Sequence, residues 1–295
     1  MGPIRTLLFV PGNKDRMLEK APAAGADALL YDLEDAVPAA ERDIAREKVG
    51  AQLRQALRLP RYVRINGLVD AGPTETAADL EAVVGEGLSG VVLPKAQSPD
   101  DVAFVAERLD RLERDAGRPE GKIEIVPMLE SARGIRFAFE ILSASPRVAS
   151  VVIGSAEDAD LMNDLGCRWS LAGTELLYAR SKVLLDARAA GIAQPLDGVF
   201  PRIADTDGLI RDAENARDLG YRGKTVIHPS QIEPVNRVFT PTDRELSYYG
   251  DLIAAFEEAE ASGAGTLSFR GKMIDRAMVR KARDLLQRFG APTSV

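Results

Sequence analysis

The most informative stretch of the chain is Asp27-Ala28-Leu29-Leu30-Tyr31-Asp32-Leu33-Glu34-Asp35, in which an aliphatic run ends in three carboxylates. The run Asp27–Tyr31 lacks an alternation of polar and apolar residues, as is typical of a strand covered on both faces. A helical pattern rich in Ala, Leu, Glu and Arg follows at Glu41–Leu57. This part of the chain therefore predicts one β-strand, an acidic loop and one α-helix.

The same strand-and-helix pattern recurs along the chain. Further aliphatic runs bounded by turn residues are Thr6–Val10, Arg61–Ile65, Gly90–Leu93, Ile123–Met128, Ala149–Ile153, Asp197–Phe200 and Lys224–Ile227. Helical spacing is also clear at Asp101–Ala116 and Thr174–Ala190. Eight strand–helix units within about 230 residues predict an α/β fold, a (β/α)8 TIM barrel. A doubly wound open sheet is the structural alternative.

The last part of the chain has a different composition. We therefore assign residues 1–240 to a TIM-barrel catalytic domain and residues 241–295 to a C-terminal helical extension that serves as a lid. Asp243–Glu260 carries six acidic residues and one basic residue, whereas Arg270–Arg288 carries seven basic and two acidic residues. The intervening Ser262-Gly263-Ala264-Gly265 indicates a flexible joint and a mobile tip. Two solvated helix faces are the simpler explanation of the charges.

Composition argues against several classes of function. The 295 residues include 38 basic and 45 acidic side chains, which gives a net charge of −7. Nucleic acid is excluded as the main partner, because neutralising phosphates requires a basic surface. Cys167 and His228 are the single cysteine and histidine, which excludes an intrachain disulfide and a Cys- or His-rich metal centre. No apolar run approaches the ~18 residues of a membrane span, so we expect a cytoplasmic protein without a membrane partner.

Carboxylates follow the predicted strands at the end where TIM barrels place their active sites. Glu130 directly follows the apolar residues Val126–Leu129, and Asp158 lies in the loop after the next strand. Carboxylates without a histidine or thiolate cluster favour a hard cation, Mg²⁺ or Mn²⁺, held together with substrate and water. Glu130 and Asp158 are therefore the candidate metal ligands, with helix capping as the alternative role for either.

Arg64 is the candidate substrate-binding residue. It alternates with Val63 and Ile65, so its side chain lies on the opposite face of the strand, which near the barrel mouth is the lumen. A guanidinium in the lumen is suited to binding a carboxylate or stabilising an enolate oxygen. A structural role in a buried ion pair is the alternative.

Several motifs that occur in order along the chain resemble one enzyme family. They are Arg5-Thr6-Leu7-Leu8-Phe9-Val10-Pro11-Gly12-Asn13, Asp32-Leu33-Glu34-Asp35-Ala36-Val37, Val63-Arg64-Ile65-Asn66, Leu93-Pro94-Lys95, Pro127-Met128-Leu129-Glu130-Ser131, Glu157-Asp158, Gly223-Lys224, Ile227-His228-Pro229-Ser230-Gln231-Ile232 and Gly271-Lys272-Met273-Ile274-Asp275. Together they resemble the citrate lyase β-subunit-like acyl-CoA lyases. This group includes malyl-CoA and citramalyl-CoA lyases within the HpcH/HpaI aldolase superfamily.

The resemblance implies a Mg²⁺-dependent barrel that is usually a homotrimer. Its metal ligands would fall on Glu130 and Asp158, and its substrate contacts on Arg64 and Glu130. The chain departs from the family at Ala159-Asp160, because leucine usually follows the motif Glu157-Asp158.

The resemblance also assigns coenzyme A contacts and a catalytic acid. The coenzyme A contacts would be Phe9, Lys14, Arg16 and Lys20. A local basic patch is needed to hold this polyanion on an acidic protein. The family's catalytic aspartate would be Asp275 on the lid, reaching the site of a neighbouring subunit.

These features imply a retro-Claisen lyase. We expect it to cleave or form a 3-hydroxy-3-carboxyacyl-CoA of the malyl-, citramalyl- or citryl-CoA type, giving a 2-oxo acid and an acyl-CoA. Arg64 would stabilise the developing oxyanion, and Asp275 would protonate the enolate. The alternatives are an acyl-CoA thioesterase or malate-synthase-like enzyme, an aldolase for free 2-oxo acids, and a subunit of a multi-protein citrate lyase.

Overall fold

The computed structural model describes residues 3–290. Eight parallel strands form a closed barrel in chain order, each hydrogen-bonded to the next and the eighth to the first. The strands are β1 (Thr6–Pro11), β2 (Ala28–Asp32), β3 (Arg61–Arg64), β4 (Gly90–Leu93), β5 (Glu124–Leu129), β6 (Ser150–Ile153), β7 (Gln194–Asp197) and β8 (Gly223–Val226). The predicted (β/α)8 barrel is confirmed.

Helices connect the successive strands. They are α1 (Asp15–Lys20), α2 (Arg42–Leu53), α3 (Gly72–Val83), α4 (Pro99–Asp115), α5 (Ala132–Arg136), α6 (Ala138–Leu142), α7 (Asp160–Leu165), α8 (Leu177–Ala189), α9 (Thr206–Leu219) and, after β8, α10 (Ile232–Phe239). A capping box starts α4, where Ser98 and Asp101 each accept the other's backbone N–H. Among the helices within residues 3–290, none has the length and apolarity needed to cross a membrane.

Alternation along the strands divides the buried side chains between two cores. In β2, Leu29 and Tyr31 pack outward against the helices, whereas Ala28 and Leu30 fill the lumen. Both sets are buried, which explains the continuous apolar run in the sequence. Asp32 continues the inward set two residues beyond Leu30, so it lies at the mouth of the barrel.

The seventh strand lies three residues earlier than the sequence pattern predicts. The pattern indicates Asp197–Phe200, but β7 is Gln194–Asp197, so this prediction was wrong. Pro195 resembles a turn residue because it lacks an N–H, yet it pairs opposite Val151 at the start of the strand. The residues after Asp197 instead form a loop at the barrel mouth.

A buried ion cluster between the barrel and its helices includes the last residue of β7. The ammonium of Lys224 lies 2.6 Å from Asp197 and 2.5 Å from Asp212, and the guanidinium of Arg180 lies 2.9 Å from Asp197. All four side chains are buried. Two cations and two anions cancel in charge, which allows these groups to lie in a low-dielectric interior.

We expect Lys224→Met to lower the free energy of unfolding by about 3–5 kcal/mol, because the change leaves Asp197 and Asp212 with one cation between them. Urea denaturation measures this loss. Lys122→Met, at an exposed lysine, is the matched control and should change stability by less than about 0.5 kcal/mol. Equal effects of the two substitutions would contradict a structural role for the buried cluster.

Among the described residues, Thr240 to Gly290 belong to a second compact unit, distinct from Ile4–Phe239. It contains α11 (Asp243–Ala261), β9 (Leu267–Phe269), β10 (Lys272–Ile274) and α12 (Arg276–Phe289). The antiparallel hairpin of β9 and β10 was missed by the prediction of a helical extension. Its two-residue turn, Arg270-Gly271, has positive φ at both positions, as type I′ hairpin turns require.

The opposite charges of α11 and α12 face each other within this unit. Ion pairs join Arg276 to Glu260 at 2.5 Å and Arg283 to Glu257 at 2.7 Å. Each of these four side chains is exposed, so the pairs add little stability individually. The small core of this unit consists of Leu252, Phe256, Ile274, Val279 and Ala282. The predicted role of the unit as a lid stays a prediction.

Candidate active site

A cavity of about 480 Å³ opens at the carboxyl ends of the barrel strands. Its charged lining residues are Asp32, Asp35, Arg64, Glu130 and Asp160. Its apolar wall includes Phe9, Met128, Val152, Ile153, Ala156, Ala159 and Ile227. The cavity therefore combines a charged floor with an apolar side, at the end of a TIM barrel where active sites occur.

Arg64 is held in one orientation at the floor of this cavity. Its Nε and Nη2 donate to the two carboxylate oxygens of Asp32, each at 2.7 Å, and Nη1 lies 2.8 Å from Glu34. The guanidinium carbon lies 5.0 Å from the centre of the Phe9 ring. Burial alone would lower the pKa of Arg64, but these anions raise it above its ordinary value. Arg64 thus lies in the lumen, as the sequence predicts. It also makes a buried ion pair, the structural role that the sequence left open as an alternative.

Glu130 is buried near Arg64 and directly follows β5 at the cavity floor. It is 7% exposed, and its Oε1 accepts the backbone N–H of Lys95 at 2.9 Å. Burial, reinforced by the nearby Glu34 carboxylate, raises the pKa of Glu130 to about 8. Gly154 makes room for this side chain, because a Cβ at position 154 would lie 2.4 Å from the Glu130 Cβ.

We expect the stability of the metal-free protein to fall as pH rises, because the pKa of Glu130 is higher in the folded chain than its ordinary value of 4.5. This contribution is complete below pH 4.5 and is lost as pH approaches about 8, with a slope of up to ~1.4 kcal/mol per pH unit. Urea unfolding in the presence of a chelator, at a series of pH values, measures the slope. Glu130→Gln should flatten it, and parallel profiles for the two proteins would contradict the assignment.

The carboxylates that follow β6 point in different directions. Glu157 makes two hydrogen bonds with Arg202, at 2.8 and 2.6 Å. Asp158 has φ 57° and is exposed. Its negative charge helps to raise the pKa of Arg202. Asp160, by contrast, lines the cavity, and its charge raises the pKa of Glu130. The structure therefore brings Asp160 to Glu130 and leaves the predicted metal ligand Asp158 outside the cavity lining.

Lys95 links three loops at the cavity, and sequence reasoning assigned it no role. Its ammonium lies 2.8 Å from Asp70 and 2.9 Å from Glu34. Asp160 and Asp35 lie at 3.5 and 3.8 Å from the same nitrogen. Lys95 has a φ of 51°, in the left-handed region that favours glycine. The motif Leu93-Pro94-Lys95 was the sequence signal that pointed to this position.

Comparison with known proteins identifies the family of this chain. Residues 5–229 fit the family model described as HpcH/HpaI aldolase/citrate lyase. The chain belongs to this family. The resemblance inferred from the motifs is therefore confirmed.

Similar proteins in the HpcH/HpaI family include lyase subunits and a thioesterase. The chain is 38% identical over 289 residues to the citrate lyase subunit beta of Leuconostoc mesenteroides subsp. cremoris, covering 96% of this chain and 92% of that one. It is 37% identical over 287 residues to a (3S)-malyl-CoA thioesterase of Cereibacter sphaeroides, covering 96% and 94%. A crystal structure of CitE from Mycobacterium tuberculosis in complex with magnesium, acetoacetate and coenzyme A is 31% identical, with a TM-score of 0.75 and 98% of each chain covered.

In this HpcH/HpaI family member, the four predicted coenzyme A contacts lie in two different places. Phe9 points into the lumen, where it packs against Arg64. Lys14, Arg16 and Lys20 are exposed, with Lys14 just before α1 and the other two within it. The lysine and arginine side chains thus present positive charge near the end of β1, whereas Phe9 contributes to the cavity floor.

Two further predicted residues have capping roles. Asp275 begins α12 in the second compact unit, where its Oδ1 accepts the backbone N–H groups of Ala277 and Met278 at 2.9 and 3.1 Å. His228 precedes the short helical turn after β8, where its Nδ1 accepts the backbone N–H of Ser230. This contact supports the structural role that the sequence suggested for His228. The catalytic role of Asp275 stays a prediction.

Proposed function

We propose that this HpcH/HpaI family member is a Mg²⁺-dependent carbon–carbon lyase. Its substrate is a 3-hydroxy-3-carboxyacyl-CoA of the malyl-, citramalyl- or citryl-CoA type, and its products are a 2-oxo acid and an acyl-CoA. The single observation that carries this proposal is the buried carboxylate of Glu130, directly after β5, at one cavity that also contains Arg64 and Asp160.

The residues at the cavity fit a divalent cation held by oxygen ligands. Glu130 is a buried carboxylate with one backbone donor, and Gly154 leaves open the space in front of its Oε2, where a Cβ would lie 2.8 Å away. Asp160 supplies a second carboxylate at the same cavity. Mg²⁺ is commonly held by one or two carboxylates together with substrate and water. We assign Glu130 and Asp158 as its ligands, the pair that the family motif implies, and Asp160 adds a further carboxylate at the cavity.

Coenzyme A binding is supported by a relative and by local charge. The similar CitE structure from M. tuberculosis contains magnesium, acetoacetate and coenzyme A. In this chain, Lys14, Arg16 and Lys20 form an exposed basic patch near the end of β1, suited to the phosphates of coenzyme A. We assign the phosphate contacts to these three residues, and we assign Phe9 to the lining of the acyl site.

Each group at the site has a separate role in the proposed reaction. Mg²⁺ held by Glu130 and Asp158 would act as a Lewis acid and would lower the pKa of the substrate hydroxyl. As the hydroxyl gives its proton to water, the bond between the carbinol carbon and the carbon next to the thioester breaks, the carbinol carbon becomes the carbonyl of the 2-oxo acid, and the electron pair of the broken bond forms the thioester enolate. Arg64 is held in place by Asp32 and Glu34, and its permanent positive charge stabilises the developing oxyanion. Asp275 of a neighbouring subunit in a cytoplasmic homotrimer then donates a proton to the enolate carbon.

Hydrolysis is the second candidate activity, because one relative at 37% identity is a (3S)-malyl-CoA thioesterase. The likeness to citrate lyase subunit beta also keeps open a role within a multi-protein lyase. An aldolase for free 2-oxo acids is less well supported, because such relatives commonly carry a histidine after Glu34, where this chain has Asp35.

One assay separates these activities. Purified protein is incubated with malyl-CoA, citramalyl-CoA or citryl-CoA and Mg²⁺, and the products are separated chromatographically. A 2-oxo acid together with an acyl-CoA supports the lyase. Free coenzyme A with an intact hydroxy acid indicates hydrolysis alone. Turnover of the free hydroxy acids but of none of the three thioesters would contradict the proposal.

A further inference from the structure

We propose that a pocket at the amino ends of β3 and β4 binds a small organic anion, whose phosphate or carboxylate group is held by Arg54, Arg58 and Arg61. The pocket has a volume of about 750 Å³ and lies where the chain leaves α2 and α3. Arg61 begins β3 and Arg64 ends it, so the pocket is at the opposite end of the barrel from the candidate active site. The inference therefore does not depend on the proposed function.

Arg61 is a buried cation for which the described residues provide no carboxylate partner. It is 4% exposed, and alternation along β3 turns it outward, away from the lumen that Tyr62 and Arg64 face. The other buried cations of residues 3–290 each lie within 3.8 Å of at least two carboxylates; they are Arg64, Arg147, Arg180 and Lys224. A buried charge without an opposite charge is costly. Arg61 is thus the buried cation whose counter-ion is expected to come from outside the chain.

Hydrogen bonds satisfy only part of the Arg61 guanidinium. Its Nη1 donates to the backbone carbonyls of Gln52 and Gln55 at 2.8 and 2.9 Å, which helps to cap the carboxyl end of α2. Among the residues that the structure describes, Nε and Nη2 have no hydrogen-bond partner. In Arg64 the same two nitrogens hold both oxygens of one carboxylate. The capping contacts therefore leave unused the edge of Arg61 that suits a bidentate oxyanion.

The loop before β4 places backbone, and no side chain, against this guanidinium. A Cβ at Gly87 would overlap both Nη2 of Arg61 and the carbonyl oxygen of Leu53. Any side chain at position 87, a carboxylate included, would therefore displace the arginine. Glycine at this position keeps Arg61 beside the pocket that it lines.

Two more arginines and an apolar wall define the chemistry of the pocket. Arg54 and Arg58 line it, are exposed, and make no ion pair within residues 3–290. Glu86 is the one acidic residue of the described lining, so three positive charges face one negative charge. The apolar part of the wall includes Leu53, Leu57, Ala82, Val83 and Val84.

This combination fits an oxyanion attached to an apolar body. Guanidinium groups bind phosphate and carboxylate through paired hydrogen bonds, and they keep their charge at every pH at which the protein is folded. The volume lies in the range of roughly 300–1,000 Å³ that is typical of small-molecule sites. Catalytic residues of TIM barrels lie at the other end of the strands, so the site assigned here is one of binding rather than of catalysis.

Calorimetric titration with phenyl phosphate, in a phosphate-free buffer of low ionic strength, tests the inference without any measurement of activity. The double variant Arg54→Met/Arg58→Met should bind the probe ~10-fold or more weakly than the unmodified protein, because charge-assisted hydrogen bonds are lost. Both substitutions are at exposed side chains, so the variant should fold. Inorganic phosphate should bind more weakly than phenyl phosphate, since it has no apolar body.

The matched control is Arg211→Met/Arg237→Met, which removes two exposed arginines from α9 and α10. It should bind phenyl phosphate within about twofold of the unmodified protein, because salt screens charges outside the pocket. The basic patch of Lys14, Arg16 and Lys20 is intact in both variants, so a difference between them reports on this pocket. Equal binding by the two double variants would overturn the inference, as would a lack of binding by the unmodified protein. Equal affinities for inorganic and phenyl phosphate would overturn the assignment of an apolar body.

Discussion

Asp158→Ala is expected to reduce Mg²⁺-dependent cleavage by about 10³-fold or more, because a metal that acts as a Lewis acid contributes several kcal/mol to the transition state. Asp158 lies in the loop after β6, in the motif Glu157-Asp158 to which the metal is assigned. Asp160 begins α7 and lines the cavity, but it is not an assigned ligand. Asp160→Ala should therefore lose much less activity than Asp158→Ala.

Steady-state rates at saturating Mg²⁺ and citramalyl-CoA, or whichever thioester proves active, measure this difference. Glu130→Gln should lose as much activity as Asp158→Ala, since both remove a ligand of one metal. Circular dichroism of each variant controls for folding. A severe loss in Asp160→Ala with little loss in Asp158→Ala would contradict the assigned ligand pair.

Asp275→Asn is expected to lower turnover by about 10²–10⁴-fold, the usual contribution of a general acid or base. Asparagine has nearly the same shape and keeps an oxygen that can accept the N–H groups of Ala277 and Met278 at the start of α12. The substitution therefore removes the acid while it preserves the helix cap. An unchanged pH–rate profile together with a rate near that of the unmodified enzyme would exclude the role.

Mixing two inactive proteins tests whether Asp275 acts on a neighbouring subunit. Asp275→Asn chains retain an intact barrel, and Glu130→Gln chains retain an intact extension. If these parts meet between subunits, random reassembly of equal amounts should restore up to about a quarter of the normal rate. No recovery from reassembled mixtures would place the acid and the metal ligands within one chain or exclude one of them.

The fold was predictable because its main signal is local. Runs such as Ala28–Tyr31 are apolar on both faces, and each is followed by a helical pattern, which is enough to indicate a barrel. The seventh strand was misplaced because Pro195 resembles a turn residue, so the pattern starts the strand at Asp197, which is in fact its last residue. Asp197 is buried against Lys224 and Arg180, which are distant in sequence, so the local pattern could not show that the strand ends there.

The site was predictable only where alternation fixed a side chain's direction. Arg64 ends β3 and Glu130 directly follows β5, and each lies at the cavity as the alternation of its strand indicates. Asp158 lies in the loop after β6 and Asp160 begins α7, so alternation along a strand does not determine their direction. The left-handed backbone of Asp158 is likewise not visible in the sequence. The contacts of Lys95 also depend on three loops that only the folded chain brings together.

The absence of a side chain at Gly154 limits how this protein can be re-engineered. Even one methyl group there would displace the acidic side chain beneath it. Libraries that aim to change the accepted acyl group should therefore keep position 154 constant and randomise Ala156 and Ala159 on the apolar wall. Selectivity and metal loading would then be tunable as separate traits in a directed-evolution campaign.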